Sequence, residues 1–226
     1  MRRFARAAAL LLLVFLLSTI AFAAEDCYPI CYSFTPPEGF ALVEGETAMW
    51  ANENNSANIN IIVEENTGIN PYDLTETDIA ALRDATVQVF SQELSAYQGT
   101  VVACSAQAAS RKEAVHIWMD STYVMDGVEI QCRQEQYVFF TTKYIIYVTG
   151  TALTNFADST ALNGFAQAAA DMGLNDALFT GPTEPANSLV AWVIVGGIVG
   201  AAGGLTLFLL RQRKKASEAQ PAEAAK

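Results

Sequence analysis

The chain has 226 residues, 52% of them hydrophobic, and a formal net charge of −11. This length allows one ordinary domain with additional segments at its ends. Between residues 24 and 187, 22 acidic residues stand against five basic ones, a net charge of −17. Such a charge repels phosphate backbones and argues against nucleic acid as a partner. Solubility is the simplest explanation of the acidity, and attraction of Ca²⁺ or a basic partner is the alternative, although no D-x-D-x-D-G calcium loop is present.

Residues 1–23 have the layout of a secretory signal peptide. Three arginines lie in the first six residues, an apolar stretch follows over 7–22, and Ala21-Phe22-Ala23 is a small-x-small cleavage signal. Cleavage there would begin an exported domain at Ala24. An uncleaved N-terminal anchor is the alternative.

The first half of the exported domain, residues 24–181, predicts short strands and then one long helix. Strands are expected over 31–34, 39–43 and 48–51, and residues 58–64 alternate with period two, which indicates a half-buried strand. Thr75 to Asp78 provides a variant of the capping box. Apolar residues then recur at helical spacing, which predicts a helix over 76–97 that Gly99 ends.

The second half predicts a four-strand meander over 101–106, 113–125, 129–141 and 144–151. Asp126-Gly127 is a strong hairpin turn, and Val138-Phe139-Phe140 indicates burial on both faces of its strand. An alanine-rich helix is expected over 159–172, with Gly173 at its end. The fold class is therefore α+β, an antiparallel sheet with packed helices.

A second apolar segment at residues 188–210 predicts one C-terminal transmembrane helix. It contains no charge and is long enough to cross a bilayer. Four basic residues within 211–215 follow it, and positive charge beside a span favours the cytoplasmic side. We therefore expect a single-pass protein of the cell membrane with an extracellular domain, a stalk at 182–187, and a basic, disordered cytoplasmic tail at 211–226.

Three glycines spaced four residues apart lie within the predicted span, at Gly196, Gly200 and Gly204. This spacing places them on one helix face, where small residues let two helices approach closely. It predicts a homodimer formed through the transmembrane helix. The alternative is that glycine is simply common in membrane spans.

Four cysteines lie in the exported part, where disulfides are plausible: Cys27, Cys31, Cys104 and Cys132. Four cysteines allow three pairings, and the sequence does not choose among them. A local Cys27–Cys31 bond would leave Cys104 with Cys132. The spacing fits no common zinc module, and we predict neither a metal nor a cofactor.

Several side chains are candidate site residues. His116 is the only histidine and falls on the same strand face as Trp118 and Asp120. No G-x-S-x-G elbow frames a serine, so a polar strand residue is expected rather than a catalytic base. Paired carboxylates can hydrolyse glycosidic bonds, and acidic residues on neighbouring strands could form such a pair, but a solvated face is favoured. The acidic residues concerned are Glu113, Asp120, Glu129 and Glu135. Trp50 and Trp118 are expected in the core, with a binding patch as the alternative.

The order of elements resembles a known fold. The opening motif Phe34-Thr35-Pro36-Pro37-Glu38-Gly39-Phe40 precedes a short hairpin, an alternating strand, a long helix, an aromatic-rich meander and a closing helix. This resembles the PsbP-like and Mog-like α-β-α sandwich, over about residues 31–174. The resemblance implies a domain that docks to partners and carries no common catalytic residue set.

These observations together predict a membrane-anchored, non-enzymatic exported domain that binds a protein partner or ligand at the outer face of the membrane. The alternative is an envelope hydrolase acting on a wall or glycan substrate through acidic residues.

Overall fold

Seven antiparallel strands form the sheet on which the fold is built, and from one edge to the other they are residues 40–42, 49–52, 57–65, 144–153, 128–140, 114–125 and 100–108. The structure is a computed structural model that describes residues 31–44, 48–53, 56–66, 74–95, 98–109, 114–125, 127–153 and 160–178. The signal peptide, the stalk, the predicted span with its three glycines, the tail and Cys27 lie outside these residues. No helix within the described ranges is long and apolar enough to cross a membrane.

The strands and helices follow the predicted order. The strands are β1 Tyr32–Ser33, β2 Phe40–Leu42, β3 Met49–Asn52, β4 Ala57–Glu65, β5 Thr100–Ala108, β6 Ala114–Met125, β7 Val128–Phe140, β8 Tyr144–Leu153 and β9 Gly173–Leu174. The helices are α1 Glu76–Ser95 and α2 Phe165–Ala170, with 3₁₀ turns at Thr160–Leu162 and Asp176–Leu178. The predicted α+β class with an antiparallel sheet is confirmed. The expected C-terminal transmembrane helix stays a prediction.

The two faces of the sheet are covered by different elements. We call the side that α1 packs against the helix face, where Leu82 joins Val115, Val138 and Tyr147 in one cluster and Phe90 joins Met119 in another. We call the other side the opposite face, where β3, β4 and β8 pack against α2 and the segment around β1. Its largest cluster includes Trp50, Ile59, Phe139, Ile146 and Phe165. As predicted, Val138, Phe139 and Phe140 are buried on alternating sides.

The capping box at the start of α1 forms as expected. The Asp78 carboxylate accepts from the Thr75 backbone N–H at 2.8 Å and from its hydroxyl at 2.6 Å, and the Asp78 N–H donates to Thr75 Oγ1 at 3.3 Å. These bonds satisfy donors that a helix N-terminus otherwise leaves unpaired. They hold the pKa of Asp78 below its usual value, chiefly through the Thr75 hydroxyl.

The expected helix over 159–172 is wrong in part, because it is divided. A 3₁₀ turn at Thr160–Leu162 precedes Gly164, whose φ of 81° lies in the left-handed region, and α2 begins only at Phe165. A residue in that region interrupts the helical hydrogen-bond pattern. A Cβ at position 164 would lie 3.3 Å from Pro37 Cβ of the opening motif, so the positive φ and this close approach both favour glycine where the helix is divided.

Of the pairings that the sequence left open, the one between Cys104 and Cys132 is not formed, because both are free thiols. Strand β6 separates β5 from β7, and strands two places apart are about 10 Å apart. A disulfide needs Cα atoms within about 7 Å. Burial raises the pKa of Cys104 to about 11 and that of Cys132 to about 12. Cys31 is buried and disulfide-bonded.

Candidate functional site

The β5–β6–β7 half of the opposite face carries polar and aromatic side chains in place of an apolar core. Six residues on β6 and β7 form what we call the β6–β7 patch: His116, Trp118, Asp120, Arg133, Glu135 and Tyr137. Cross-strand register places His116 beside Tyr137, Trp118 beside Glu135 and Asp120 beside Arg133. Five of the six are partly exposed, and Asp120 is the buried one.

Arg133 and Asp120 form the strongest contact in the patch. Arg133 Nε donates to Asp120 Oδ1 and Nη2 donates to Oδ2, both at 2.9 Å, with the carboxylate side chain only 7% exposed. The hydrogen bond to Asp120 raises the pKa of Arg133 above its ordinary value. Such a two-point pair fixes geometry as well as charge. The guanidinium also lies 5.0 Å from the centroid of the Trp118 ring, a cation–π distance.

A stacked aromatic pair forms the other end of the patch. The rings of His116 and Tyr137 are 4.5 Å apart and nearly parallel, at 15°. His116 Nε2 lies 3.6 Å from Glu135 Oε2, too long for a hydrogen bond. Burial, and then the negative charge of Glu135, raise the pKa of Tyr137. Tyr137 also meets Phe165 edge-on at 5.9 Å, which joins the patch to the buried core.

The predicted placement of the site residues holds for some and not for others. His116, Trp118 and Asp120 share a face as expected. Trp50 is in the core, but Trp118 is half-buried on the open face, so its expected core position is wrong. Asp120 and Glu135 lie on the neighbouring strands β6 and β7, within the β6–β7 patch. Glu129 is also on β7, but it is exposed at the start of that strand and lies outside the patch. Glu113 lies outside the described residues.

Sequence reasoning missed Arg133, although the hairpin contains the signal for it. A two-residue turn at Asp126-Gly127 pairs Met125 with Val128. Counting outward from that pair along an antiparallel ladder places residue 120 opposite 133 and residue 116 opposite 137. The salt bridge and the aromatic stack could therefore have been predicted from the turn.

The chemistry of the patch favours recognition over catalysis. Both oxygens of Asp120 accept from Arg133, so that carboxylate is poorly placed to donate a proton. Ser121 points to the helix face, away from His116, because neighbouring strand residues alternate. The tryptophan, the tyrosine and the arginine belong to the residue types that are enriched in protein interfaces.

Apart from the β6–β7 patch, a concavity lies between the opening motif and α2. It measures about 600 Å³ and is lined by Thr35, Pro36, Pro37, Glu38, Asn163, Gly164, Gln167, Ala168 and Asp171. Its two charged lining residues, Glu38 and Asp171, are both acidic and exposed. Its polar groups are therefore solvated, and they form no convergent set of buried donors.

Comparison with known proteins finds similarity in structure alone. No protein-family model matches the chain, and no curated protein matches its sequence. Similar solved structures include PsbP (CyanoP) from the cyanobacterium Synechocystis, with 18% identity and a TM-score of 0.39 over 64% of this chain and 86% of that one. LpqN of Mycobacterium tuberculosis, involved in cell envelope biogenesis, has 14% identity and a TM-score of 0.39 over 64% and 83%.

The Ran-binding protein Mog1p of Saccharomyces cerevisiae has 12% identity and a TM-score of 0.42 over 68% of this chain and 95% of that one. PsbP and Mog are the fold families that the opening motif and the order of elements resemble. At identities and TM-scores this low, the likeness concerns the fold and carries no statement of function.

Proposed function

We propose that this chain is a non-enzymatic binding domain, exported and held at the outer face of the cell membrane by a single C-terminal span, which docks a protein partner through the β6–β7 patch. The observation that best supports this proposal is the composition of the patch. It combines aromatic rings with a paired arginine on the half of the sheet face where the apolar core does not extend.

The patch is pre-organised for binding. Arg133 is held by two hydrogen bonds to Asp120 and by the Trp118 ring, and Tyr137 is held between His116 and Phe165. Side chains that are already fixed lose less rotamer freedom on association, so more of the contact energy remains as affinity. The charge of the domain, −17 over residues 24–187, favours a partner with a basic contact surface.

The patch is tested with a photo-crosslinking amino acid at position 107, which is exposed on β5 opposite His116. In native membranes we expect a discrete adduct, and Trp118→Ala should weaken its formation about 30-fold, since central aromatic residues carry much of the binding energy of an interface. Leu42→Ala is the matched control, because Leu42 is an exposed apolar residue at the far edge of the sheet. An adduct of equal yield in Trp118→Ala would refute the patch as the docking surface.

The membrane topology is tested separately. A protease added to intact cells should remove the domain of residues 24–181, because it lies outside. Protection in intact cells with digestion after lysis would reverse the proposed orientation. Gly200→Ile in the predicted span should reduce crosslinked dimer, and an unchanged dimer yield would dismiss the three glycines as the cause of association.

The hydrolase alternative makes an opposite prediction for the acidic residues. If Asp120, Glu129 or Glu135 acted in hydrolysis of a wall or glycan substrate, alanine at that position would abolish the activity. We expect no hydrolysis by the parent chain, because Asp120 is bound to Arg133. Measured hydrolysis that one of these variants removes would overturn the non-enzymatic proposal.

A further inference from the structure

The β5 edge of the sheet carries a row of main-chain groups that point outward. Among the described residues no strand lies beyond β5. The Ala109 N–H donates to the Ala114 carbonyl at 3.0 Å, so these two residues form a hydrogen-bonded pair at the end of the β5–β6 ladder. Hydrogen-bonded and non-hydrogen-bonded pairs alternate along an antiparallel ladder. The N–H and C=O groups of Cys104, Ala106 and Ala108 therefore point away from β6, towards the open edge.

Most of this edge lacks the features that usually prevent pairing with another chain. Edge strands are commonly protected by charge, proline, a bulge or short length. The bulge between Val101 and Ala103 protects only the start of β5. The six residues that follow, 103–108, keep a regular register and contain no charge and no proline. Such an edge is a template to which a second chain can add a strand.

On the helix face, an added strand would meet apolar surroundings. Cys104 and Ala106 pack beside the cluster that contains Leu82, and Val101 packs beside Phe90. Every second side chain of an added strand points to this side. Apolar side chains at those positions would extend the packing between α1 and the sheet.

On the opposite face, the edge leads directly to the β6–β7 patch. The register places Ser105 beside Trp118 and Gln107 beside His116. Ser105 is small and exposed, so it does not screen the partly exposed Trp118 from the edge. Neighbouring strands are about 4.8 Å apart, which puts an added strand roughly 10 Å from β6. A long side chain on that strand can extend over Ser105 to the Trp118 ring.

The charge of this region favours a basic segment. The Glu135 side chain is 19% exposed and lies 3.6 Å from His116 Nε2, whereas both Asp120 oxygens are bound by Arg133. Glu135 is thus the carboxylate of the patch that can still accept from an incoming cation. The net charge of −17 over residues 24–187 attracts the same kind of segment. A second copy of this acidic domain gains from neither.

We propose that the β5 edge accepts an extended basic segment of the partner protein as an added strand. Its lysine or arginine side chains lie over the β6–β7 patch, and the alternate, apolar side chains lie on the helix face. Main-chain hydrogen bonds to Cys104, Ala106 and Ala108 hold the segment, and the two sets of side chains select it. This inference rests on the proposed docking function and specifies how the partner binds.

The probe is a fluorescein-labelled peptide of about eight residues in which lysine and valine alternate, matching the two-residue period of a strand. Its binding to the full chain in a neutral detergent is followed by fluorescence anisotropy, and we expect saturable binding. One control peptide has the same composition as a lysine block followed by a valine block, and another alternates glutamate with valine. Both should bind at least about tenfold more weakly, because the first lacks the alternation and the second is repelled.

Proline substitutions test the main-chain hydrogen bonds. Ala108→Pro removes an N–H that points to the open edge and leaves the hydrogen bonds from β5 to β6 in place, an arrangement that edge strands tolerate. It should weaken binding of the alternating peptide about tenfold, whereas Ala108→Val keeps the N–H and should bind like the parent. Ala106→Pro removes the next outward N–H and should have the same effect. The melting temperature of each variant verifies that it is folded, and Ala108 is exposed.

The strand-addition and docking proposals fail separately. The photo-crosslinked adduct from position 107 should be weakened in Ala108→Pro as well as in Trp118→Ala. An adduct that Trp118→Ala weakens and Ala108→Pro leaves at the parent yield would mean that the partner uses the patch without adding a strand. That result overturns the present inference and leaves the docking proposal intact. Absence of binding by the alternating peptide, equal binding of the block peptide, or equal binding to Ala108→Pro and Ala108→Val would also overturn it.

Discussion

Gln98 and Gly99 show how two neighbouring residues at the end of α1 meet different constraints. The left-handed conformation belongs to Gln98, with φ of 62°, and not to the glycine that was expected to end the helix. Gly99 is required for space, since a Cβ there would lie 2.6 Å from Tyr123 Cβ and 2.9 Å from Leu94 Cβ. The Gly99 N–H donates to the Leu94 carbonyl at 2.7 Å, so the chain passes closely under the helix end.

Opposite effects on stability are therefore expected at these two positions. Gln98→Gly should raise the free energy of unfolding by about 0.5–1 kcal/mol, because glycine adopts positive φ without steric cost. Gly99→Ala should lower it by about 2 kcal/mol or more, because the added methyl overlaps Tyr123. Urea denaturation of both variants checks this. Equal effects of the two substitutions would contradict the conclusion that backbone conformation is the constraint at Gln98 and space is the constraint at Gly99.

The partly buried carboxyl of Glu64 predicts a pH-dependent effect on stability. Burial raises the pKa of its carboxyl, and the hydrogen bond that Tyr147 donates at 3.4 Å offsets this only in part. A raised pKa in the folded state means that ionisation opposes folding. The contribution of Glu64 to stability is thus full at pH values below the unfolded pKa and falls as the pH rises above it.

Replacing Glu64 with Gln should therefore stabilise the protein at neutral pH, by a few tenths to about 1 kcal/mol. The advantage should shrink towards pH 4, where the parent carboxyl is also neutral. Thermal unfolding at the two pH values measures the difference. Glu65→Gln is the control, because Glu65 is exposed on the same strand. A gain that is independent of pH would show that charge burial is not the cause.

The start of α1 makes a prediction for a whole element. Thr75→Ala removes the hydroxyl on which the capping box depends and should cost about 1 kcal/mol of stability. The Thr75 hydrogen bonds lower the pKa of Asp78 in the folded protein. Their contribution to the free energy of unfolding is therefore present at pH values above the ordinary pKa of a carboxyl, and it is lost as the pH falls through the pKa of Asp78 in the folded protein. The difference in free energy of unfolding between the parent and Thr75→Ala should therefore be smaller at acidic pH. Urea denaturation at pH 7 and pH 3 tests both parts, and an equal gap at the two values would contradict the role of Asp78.

Elements with local signals could be predicted closely from the sequence, and elements shaped by distant contacts could not. The capping box and the Asp126-Gly127 turn predicted α1 and the β6–β7 hairpin to within a few residues. The closing helix is divided at Gly164, which has a positive φ and closely approaches Pro37, more than 120 residues earlier in the chain. The burial of Asn58 and Asn60 depends likewise on what packs across the sheet, which residue alternation does not reveal.

The candidate site was predictable in its members on β6 but not in its pairing. His116, Trp118 and Asp120 were placed on one face by alternation alone. Their partners on β7 require the register, and the role of Trp118 depends on the position of Arg133 above its ring. Alternation alone does not reveal that the β4–β8 half of the opposite face packs against Phe165 of α2, whereas His116 and Trp118 stay partly exposed.

At the scale of the whole molecule, the two edges of the sheet are protected differently. The edge strand β2 has only three residues, whereas the opposite edge strand β5 has nine, with no charge and no proline. A bulge between Val101 and Ala103 interrupts β5 and leaves Val102 57% exposed. Long uncharged edges can pair with other chains, and a bulge is one device that opposes this.

Self-association through β5 should therefore be sensitive to charge at Val102. Val102→Lys should reduce aggregation on mild heating, because a lysine on an edge strand disfavours edge-to-edge pairing, while an exposed substitution should change the free energy of unfolding by no more than about 0.5 kcal/mol. Light scattering during heating measures the first effect and urea denaturation the second. Leu42→Lys, at the short β2 edge, is the matched control and should leave aggregation close to that of the parent. If the two lysine variants suppressed aggregation equally, added charge alone would explain the result and the β5 edge would not be the site of pairing.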